Sequence, residues 1–301
     1  MKQSNFSLAI SFASNLVFIA NAQAAGINSS ADIAEMSNVT VSSSAQNGDA
    51  VSASMGTVVA EQISQRPISR AGEILETVPG LVVTQHSGEG KANQYFLRGF
   101  NLDHGTDMAT FVDGMPINNR THGHGQGYTD INFIIPEMIE SLGYKKGPYY
   151  GQEGDFANAG AVRLHSKNAM DNSLIKLGFG EFGYQRLLLA SGNKNIVAAL
   201  DISRYDGPWE VEQEQEKVSG YIKYSFGSAV NGGNVSFMGF DNSWTATDQI
   251  PERYVEAGGD RYDSLDTDAG GSTHRYSVNY EGWQDIAGKN LMTNAYVIDY
   301  G

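Results

Sequence analysis

The 301-residue chain contains no cysteine, which excludes disulfides, thiolate metal sites and cysteine nucleophiles. Basic residues are scarce, with 20 Lys and Arg against 34 Asp and Glu and a net charge of −14. No basic surface of the kind that binds nucleic acid can be assembled from them, and no nucleic-acid partner is expected. Past the N-terminus no segment approaches the roughly 18 uninterrupted apolar residues of a membrane-spanning helix. Hydrophobic residues make up only 41% and glycine contributes 35 positions, a composition that argues against a large helical core. Catalytic constellations are missing too. Asp103-His104 and Asp107 are accompanied by no serine nucleophile elbow, paired glutamates or HExxH motif. Gly123–Gly127 lacks the strand-to-helix setting of a phosphate loop, so neither an enzyme activity nor a cofactor is expected.

What is present begins with an export signal. Lys2 precedes the apolar stretch Phe6–Ala20, and Ala22-Gln23-Ala24 offers a small-x-small cleavage site, so residues 1–24 read as a signal peptide. Residues 25–54 are rich in Ser, Ala, Asn and Gly and cannot bury enough surface to offset their ordering entropy, which makes them a flexible linker. Within it, Asn38-Val39-Thr40-Val41-Ser42 is a β-branched run with slack on either side. Such a segment can pair as an added strand with a sheet edge of a partner.

Residues 69–80 are expected to form one amphipathic helix. Ser69 is the N-cap, Glu73 lies in the first turn, Ala71, Ile74, Leu75 and Val78 share a face, and Pro79-Gly80 stops it before the strand Leu81–Thr84. From Tyr95 the strands are short and the turns explicit: Arg98-Gly99, then Asp113-Gly114 after Thr110–Val112, which is a hairpin signal. Pro136 suits the first position of a helical turn, and Ser141–Lys146 reads as a strand ending at Gly147-Pro148.

The order of these pieces, GEILETVPGLVV (Gly72–Val83), Arg98-Gly99, Asp113-Gly114, Glu140 with Lys145–Pro148, and Tyr150-Gly151, resembles the plug domain of TonB-dependent outer-membrane receptors over residues 55–167. The resemblance implies an α+β plug followed by an antiparallel transmembrane β-barrel, 22-stranded in full-length relatives. It also implies energy-coupled import of a scarce solute. On this reading residues 38–42 resemble a TonB box, and the TonB energy-coupling protein is the expected partner. Arg98, Glu140 and Arg163 are then candidates for the polar plug–barrel interface, because a displaceable plug is better held by charged pairs than by apolar packing. The chain departs from the family pattern at Ala159–Val162 and Arg163–His165.

After residue 170 apolar and polar residues alternate. Ile175, Leu177 and Phe179 interleave with Lys176, Gly178 and Gly180, and similar runs cover 196–203, 218–226, 235–241, 276–283 and 291–300. Tight connections (192–195, 229–233, 285–289) alternate with longer ones (206–217, 242–273), the asymmetry of an outer-membrane barrel with short periplasmic turns. The turn at Glu181–Gly183 is short where a surface loop is due. Tyr184, Tyr205, Trp209, Trp244, Trp283 and Tyr300 suit an interfacial girdle. Seven strands cannot close around a plug, since plugged transporters use about 22, so residues 170–301 are expected to be the first strands of a barrel truncated here. The expected location is the outer membrane of a Gram-negative bacterium, among lipid and lipopolysaccharide, with the plug inside the barrel and the N-terminus periplasmic.

The densest chemistry is Thr121-His122-Gly123-His124-Gly125. Neutral imidazoles bind zinc, copper, nickel or iron, and on an extended strand His122 and His124 would share a face. Asn119, Arg120, His122 and His124 are therefore the candidate ligand-binding residues at the plug apex, with His122 and His124 the candidate metal ligands. The expected ligand is an iron–siderophore or other metal chelate; a carbohydrate, a corrinoid, or a passive or signalling role are the alternatives.

Overall fold

The computed structural model describes residues 54–85 and 89–301. The expected signal peptide, most of the linker and the segment Asn38–Ser42 lie outside the described residues. The first half is built on a five-stranded mixed sheet in the order β1 (Met55–Val59), β7 (Ile139–Lys146), β8 (Gly160–Ser166), β5 (Met108–Val112), β6 (Met115–Pro116). β5 and β8 are parallel and the other pairs antiparallel. A small sheet of β2 (Leu81–Thr84), β3 (Gln94–Leu97) and β4 (Phe100–Asn101) stands beside it.

Two tight turns set these registers. Leu97 pairs with Phe100 around Arg98 and Gly99, and Val112 pairs with Met115 around Asp113 and Gly114. Both turns place two successive residues at positive φ (54° and 81°, then 47° and 74°), the backbone that matches strand twist and that glycine adopts without steric cost. The Asp113-Gly114 hairpin expected from sequence is therefore present.

The expected helix over 69–80 is shorter and tighter. It is a 3₁₀ helix, Ala71–Thr77, with Arg70 rather than Ser69 in the cap position. The Glu73 carboxylate accepts hydrogen bonds from the Ser69 N–H (2.8 Å) and the Arg70 N–H (3.2 Å), so the third residue of the helix reaches back to the backbone donors at and before the cap. Its apolar face survives the change: Ala71, Ile74, Leu75 and Val78 are buried together with Leu81, Leu142, Val162 and Leu164. Pro136 does open a helical turn, Pro136–Met138, and the following strand begins two residues earlier than expected, at Ile139.

The second half is a seven-stranded antiparallel meander: β9 (Leu174–Phe179), β10 (Gln185–Gly192), β11 (Ile196–Tyr205), β12 (Gln215–Gly227), β13 (Asn231–Thr245), β14 (Gly270–Ile286) and β15 (Lys289–Tyr300). Short links at 193–195, 228–230 and 287–288 alternate with the longer 206–214 and 246–269, the latter carrying the short helix Glu252–Glu256. One face of this sheet is apolar and open: Ile175, Leu177 and Phe179 are 66–78% exposed, joined by Tyr224, Val278 and Val297. The other face is buried and largely polar, with Asp201, Ser219, Lys223, Ser236, Arg275, Ser277 and Asn279 turned toward the first half of the chain. A soluble sheet would bury its apolar face; this one buries its polar face, the pattern of a barrel wall. No helix among the described residues is long and apolar enough to cross a membrane.

The expected aromatic girdle turns mostly inward. Tyr184 and Tyr205, packed edge-to-face at 6.3 Å, share the strand parity of Arg186 and Asp201, and Trp283, whose indole N–H donates to the Ser228 carbonyl at 2.7 Å, shares that of Arg275 and Asn279. Tyr300 likewise pairs in register with Arg275 on the polar face and its hydroxyl reaches Asp130 at 3.5 Å. Strand parity sends it inward, and Trp244 likewise lines an interior cleft.

Candidate functional site

The polar face of the strands meets the first half of the chain through two buried clusters. In the first, Asp113, on its tight turn, accepts hydrogen bonds from the Ser166 N–H at 2.9 Å and from the Ser166 hydroxyl, and lies 3.3 Å from the Lys223 ammonium of β12. Tyr221 donates to Ser166 Oγ at 2.8 Å. The Asp113 carbonyl accepts from Asn279 Nδ2 at 2.8 Å and from Asn294 Nδ2 at 3.2 Å, so three strands close on a single turn. Lys223 and Asp113 are both 2% exposed in their side chains, and their charges are exchanged for each other rather than for water. Gly114 is needed twice over, for its φ of 74° and because a Cβ there would stand 3.0 Å from Asn294 Nδ2.

In the second cluster Arg186 of β10 forks between Glu137 (2.8 and 2.9 Å) and Asp201 (2.9 and 3.1 Å), with Lys176 adding a contact to Glu137 at 3.2 Å. Burial alone would raise the Glu137 carboxyl, but the Arg186 hydrogen bonds and charge outweigh it and hold the group below its ordinary range.

Three histidines, His104, His122 and His124, gather at the end of the sheet that carries the longer connections. The chain from Asn119 to Tyr128 is pinched at its base, where the Asn119 N–H donates to the Tyr128 carbonyl (2.9 Å) and the Gly127 N–H to the Asn119 carbonyl (2.8 Å). The loop thus folds back over Tyr128: His122 stacks on the Tyr128 ring at 3.9 Å and 8°, and His124 meets His104 edge-on at 4.3 Å. His122 Nδ1 accepts the His124 backbone N–H at 3.1 Å. Burial, then the neighbouring His124, lowers the pKa of His122 and favours its neutral form.

Beneath the loop, Tyr128 Oη accepts the Ala92 N–H at 2.9 Å and is pushed up to about 12, by burial first and by Asp130 second. Asp130 is buried beside it and raised to about 6 by that burial, although it accepts the Asn132 N–H at 2.9 Å and faces Arg275. Two adjoining clefts open here. One of about 260 Å³ is lined by His104, His122, His124 and Tyr128 together with Trp244 and Tyr300 of the strands. The other, about 500 Å³, runs along Asn119, Arg120 and His122 to Tyr296 and Tyr300. All four residues expected to bind ligand therefore line clefts shared between the two halves of the chain.

The family model for the TonB-dependent receptor plug domain matches residues 47–161. The chain carries a TonB-dependent receptor plug. Vitamin B12 transporter BtuB of Vibrio vulnificus is 28% identical over 158 residues, covering 52% of this chain and 25% of that protein. BtuB of Vibrio cholerae is 26% identical over 156 residues, 51% of this chain and 24% of that one. The matched stretch thus spans about a quarter of the curated relatives' length. Among solved structures, the unliganded ferric citrate transporter FecA superposes with a TM-score of 0.64 at 14% identity over 81% of this chain and 39% of that one. The copper transporter OprC gives 0.60 at 16% identity over 82% and 37%. The siderophore receptor PirA from Acinetobacter baumannii gives 0.56 at 17% over 82% and 40%. These likenesses establish the fold, a plug followed by antiparallel barrel strands.

The plug–barrel contacts of the described strands run through other residues than the sequence suggested. Arg163 spends its guanidinium within the plug, 2.6 Å from Glu153 and stacked over Phe111 at 4.1 Å. Glu153 also takes Lys145 at 2.7 Å; burial would raise its carboxyl, but the Lys145 and Arg163 hydrogen bonds hold it low. Arg98 donates to Ser54, again within the plug. Glu140 is the extra residue of a β-bulge between Ile139 and Ser141 and is exposed. Asp113, Glu137 and Ser166 hold the strands instead. Asp113-Gly114 was recognisable as a turn, but nothing in the sequence marked Lys223 as its partner 110 positions away. His104 and Asp103 join His124 here across about 20 positions of sequence, a spacing that no local motif marks.

Proposed function

We propose that this protein is an energy-coupled outer-membrane importer whose solute binds in the clefts between plug and barrel strands, contacted by Asn119, Arg120, His122 and His124. The supporting observation is that plug and strands build these clefts jointly, so displacing the plug necessarily dismantles the binding site. The long-connection end of the strands, where the clefts lie, is the extracellular end, the short turns and the N-terminus are periplasmic, and the exposed apolar face meets lipid, with lipopolysaccharide around the longer loops. Residues Asn38–Ser42 serve as the TonB box: pulling on Val39–Val41 breaks the polar contacts at Asp113 and Glu137 and releases solute inward. The ligand is a metal ion or metal chelate, a reading supported by the convergence of three imidazoles. A corrinoid is the second reading, favoured by the similarity to BtuB.

Deletion of residues 37–43 in the full-length gene is expected to abolish uptake without lowering the amount of receptor in the outer membrane. Uptake of metal ions, ferric chelates and cobalamin is compared in the two strains. Undiminished uptake after the deletion would falsify the importer reading and leave a passive pore.

A further inference from the structure

We propose that Asp103, His104 and His124 form a binding site for a late first-row divalent metal ion, such as copper, nickel or zinc, so that the plug itself supplies ligands to the cargo. This deepens the reading of the clefts as the solute site and rests on it. One carboxylate oxygen and one nitrogen from each imidazole lie within 4.8 Å of one another. Ligand atoms around a tetrahedral zinc ion are about 3.3 Å apart, so movements on the order of 1–2 Å by the two exposed members close the shell.

His104 is the fixed member. Its side chain is buried, and Nδ1 lies 2.9 Å from the Ala92 carbonyl and 3.1 Å from the Asn93 carbonyl. Carbonyls only accept, so Nδ1 carries the proton and Nε2 carries the lone pair. That is the arrangement of metal-binding imidazoles, whose second nitrogen donates to a carbonyl or carboxylate that orients the ring. Nε2 points toward Asp103 Oδ1 at 3.7 Å. A cation held between them would accept both lone pairs. His124 completes the set from the pinched loop, and its position over His104 depends on the closure at Asn119 and Tyr128. His122 is turned away: its ring lies flat on Tyr128, and Nδ1 already accepts a backbone N–H. The pair of metal ligands is therefore His104 and His124, not His122 and His124.

The donor set also narrows the cargo. Two imidazoles and one carboxylate suit copper(II), nickel(II) and zinc. Three protein ligands leave a coordination position facing the 260 Å³ cleft, where water or a small chelator carried with the ion completes the shell. A ferric siderophore whose own oxygens fill the iron shell has no vacancy for imidazole. The cargo is thus a labile ion or an open-shell chelate of one.

The full-length receptor, purified from outer membranes, is titrated with zinc, copper(II) and nickel ions alone against a chromophoric competitor, and cobalt(II) serves as a spectroscopic reporter. One ion per receptor is expected, with a cobalt spectrum of nitrogen-containing, low-coordinate type. Asp103→Asn and His124→Ala both change exposed side chains, and asparagine keeps the positive φ of 50° accessible at position 103. Each should weaken binding by more than the roughly 10–100-fold that loss of an outer-shell partner costs. His122→Ala should weaken binding by less than either of them. Equal affinity in the wild type, Asp103→Asn and His124→Ala overturns the site and leaves an imidazolium–carboxylate pair only; a loss in His122→Ala as large as in His124→Ala overturns the assignment of ligands. Binding is read on purified protein, independently of coupling. Metal binding without dependence of uptake on residues 37–43 defeats the importer reading alone, and coupled uptake without metal binding defeats the site alone.

Discussion

The interior of the plug and its boundary with the barrel strands are held by opposite chemistry. Inside the plug, Ile74, Leu75, Leu142 and Leu164 are fully buried against one another. At the boundary, the deepest contacts are Asp113 with Lys223 and Ser166, and Arg186 with Glu137 and Asp201. Apolar burial is non-directional and is lost in proportion to the area exposed, whereas a buried ion pair contributes little net stability but is costly to break on one side. On the proposed importer reading that division would let the plug leave its place intact: its core would stay closed while its polar contacts were exchanged for water, and while seated those same contacts specify one position.

The largest effect is expected from Lys223→Met, which leaves the Asp113 carboxylate buried without its cation and should cost about 3–5 kcal/mol in seating the plug. Release is measured as protease access to the plug at rising urea concentration. The double variant Asp113→Asn with Lys223→Met should recover much of the loss, and a double variant no better than the single one would show that the contact is not a charge pair. Leu142→Ala should cost about 2–5 kcal/mol through the cavity it leaves. Here the loss should appear as loosening of the plug fold in hydrogen exchange, with seating less affected. If both variants release the plug alike, the contrast between core and boundary fails.

Asp130 sharpens the comparison through pH. Its carboxyl is raised from 3.8 to about 6 by burial, so the folded protein holds the proton more tightly than the unfolded chain. The corresponding stability is present below pH 3.8 and is lost as pH rises to about 6, amounting to ~1.4 kcal/mol for each pH unit separating the two values. In Asp130→Asn that fall in Tm between pH 4 and 6 should disappear, and a wild-type-minus-variant difference that stays constant over the interval would contradict the buried, protonated carboxyl. The smallest effect is expected at Arg204–Glu216, a cross-strand pair at 2.9 Å whose side chains are 50% and 38% exposed. Arg204→Ala should change stability by less than about 1 kcal/mol, measured by thermal unfolding in the same detergent, because water screens what it screens poorly at Arg186.

Much of this was legible in the residues. Asp113-Gly114 and Arg98-Gly99 became two-residue turns because two successive positive φ values favour glycine, and that preference is local. The β9 alternation of Ile175, Leu177 and Phe179 with Lys176 held because strand parity is a property of the backbone. The helix over 69–80 was less legible. The apolar face was right, but neither the tighter 3₁₀ turn nor the cap at Arg70 is marked by a local motif. Arg163 shows the limit most clearly: its charge suggested the boundary, and proximity to Glu153 kept it inside the plug.

By itself the sequence determined the turns, the strand parity, the change from plug to barrel pattern and the histidine-rich loop, all of which follow from interactions a few residues long. Tertiary structure alone decided that Asp113 meets Lys223, that Tyr300 sits beside Arg275, and that His124 lies against His104 beside Asp103. Those pairings join positions from 20 to more than 100 residues apart. They depend on which side chains two folded surfaces bring together, and residue type sets only what each could accept.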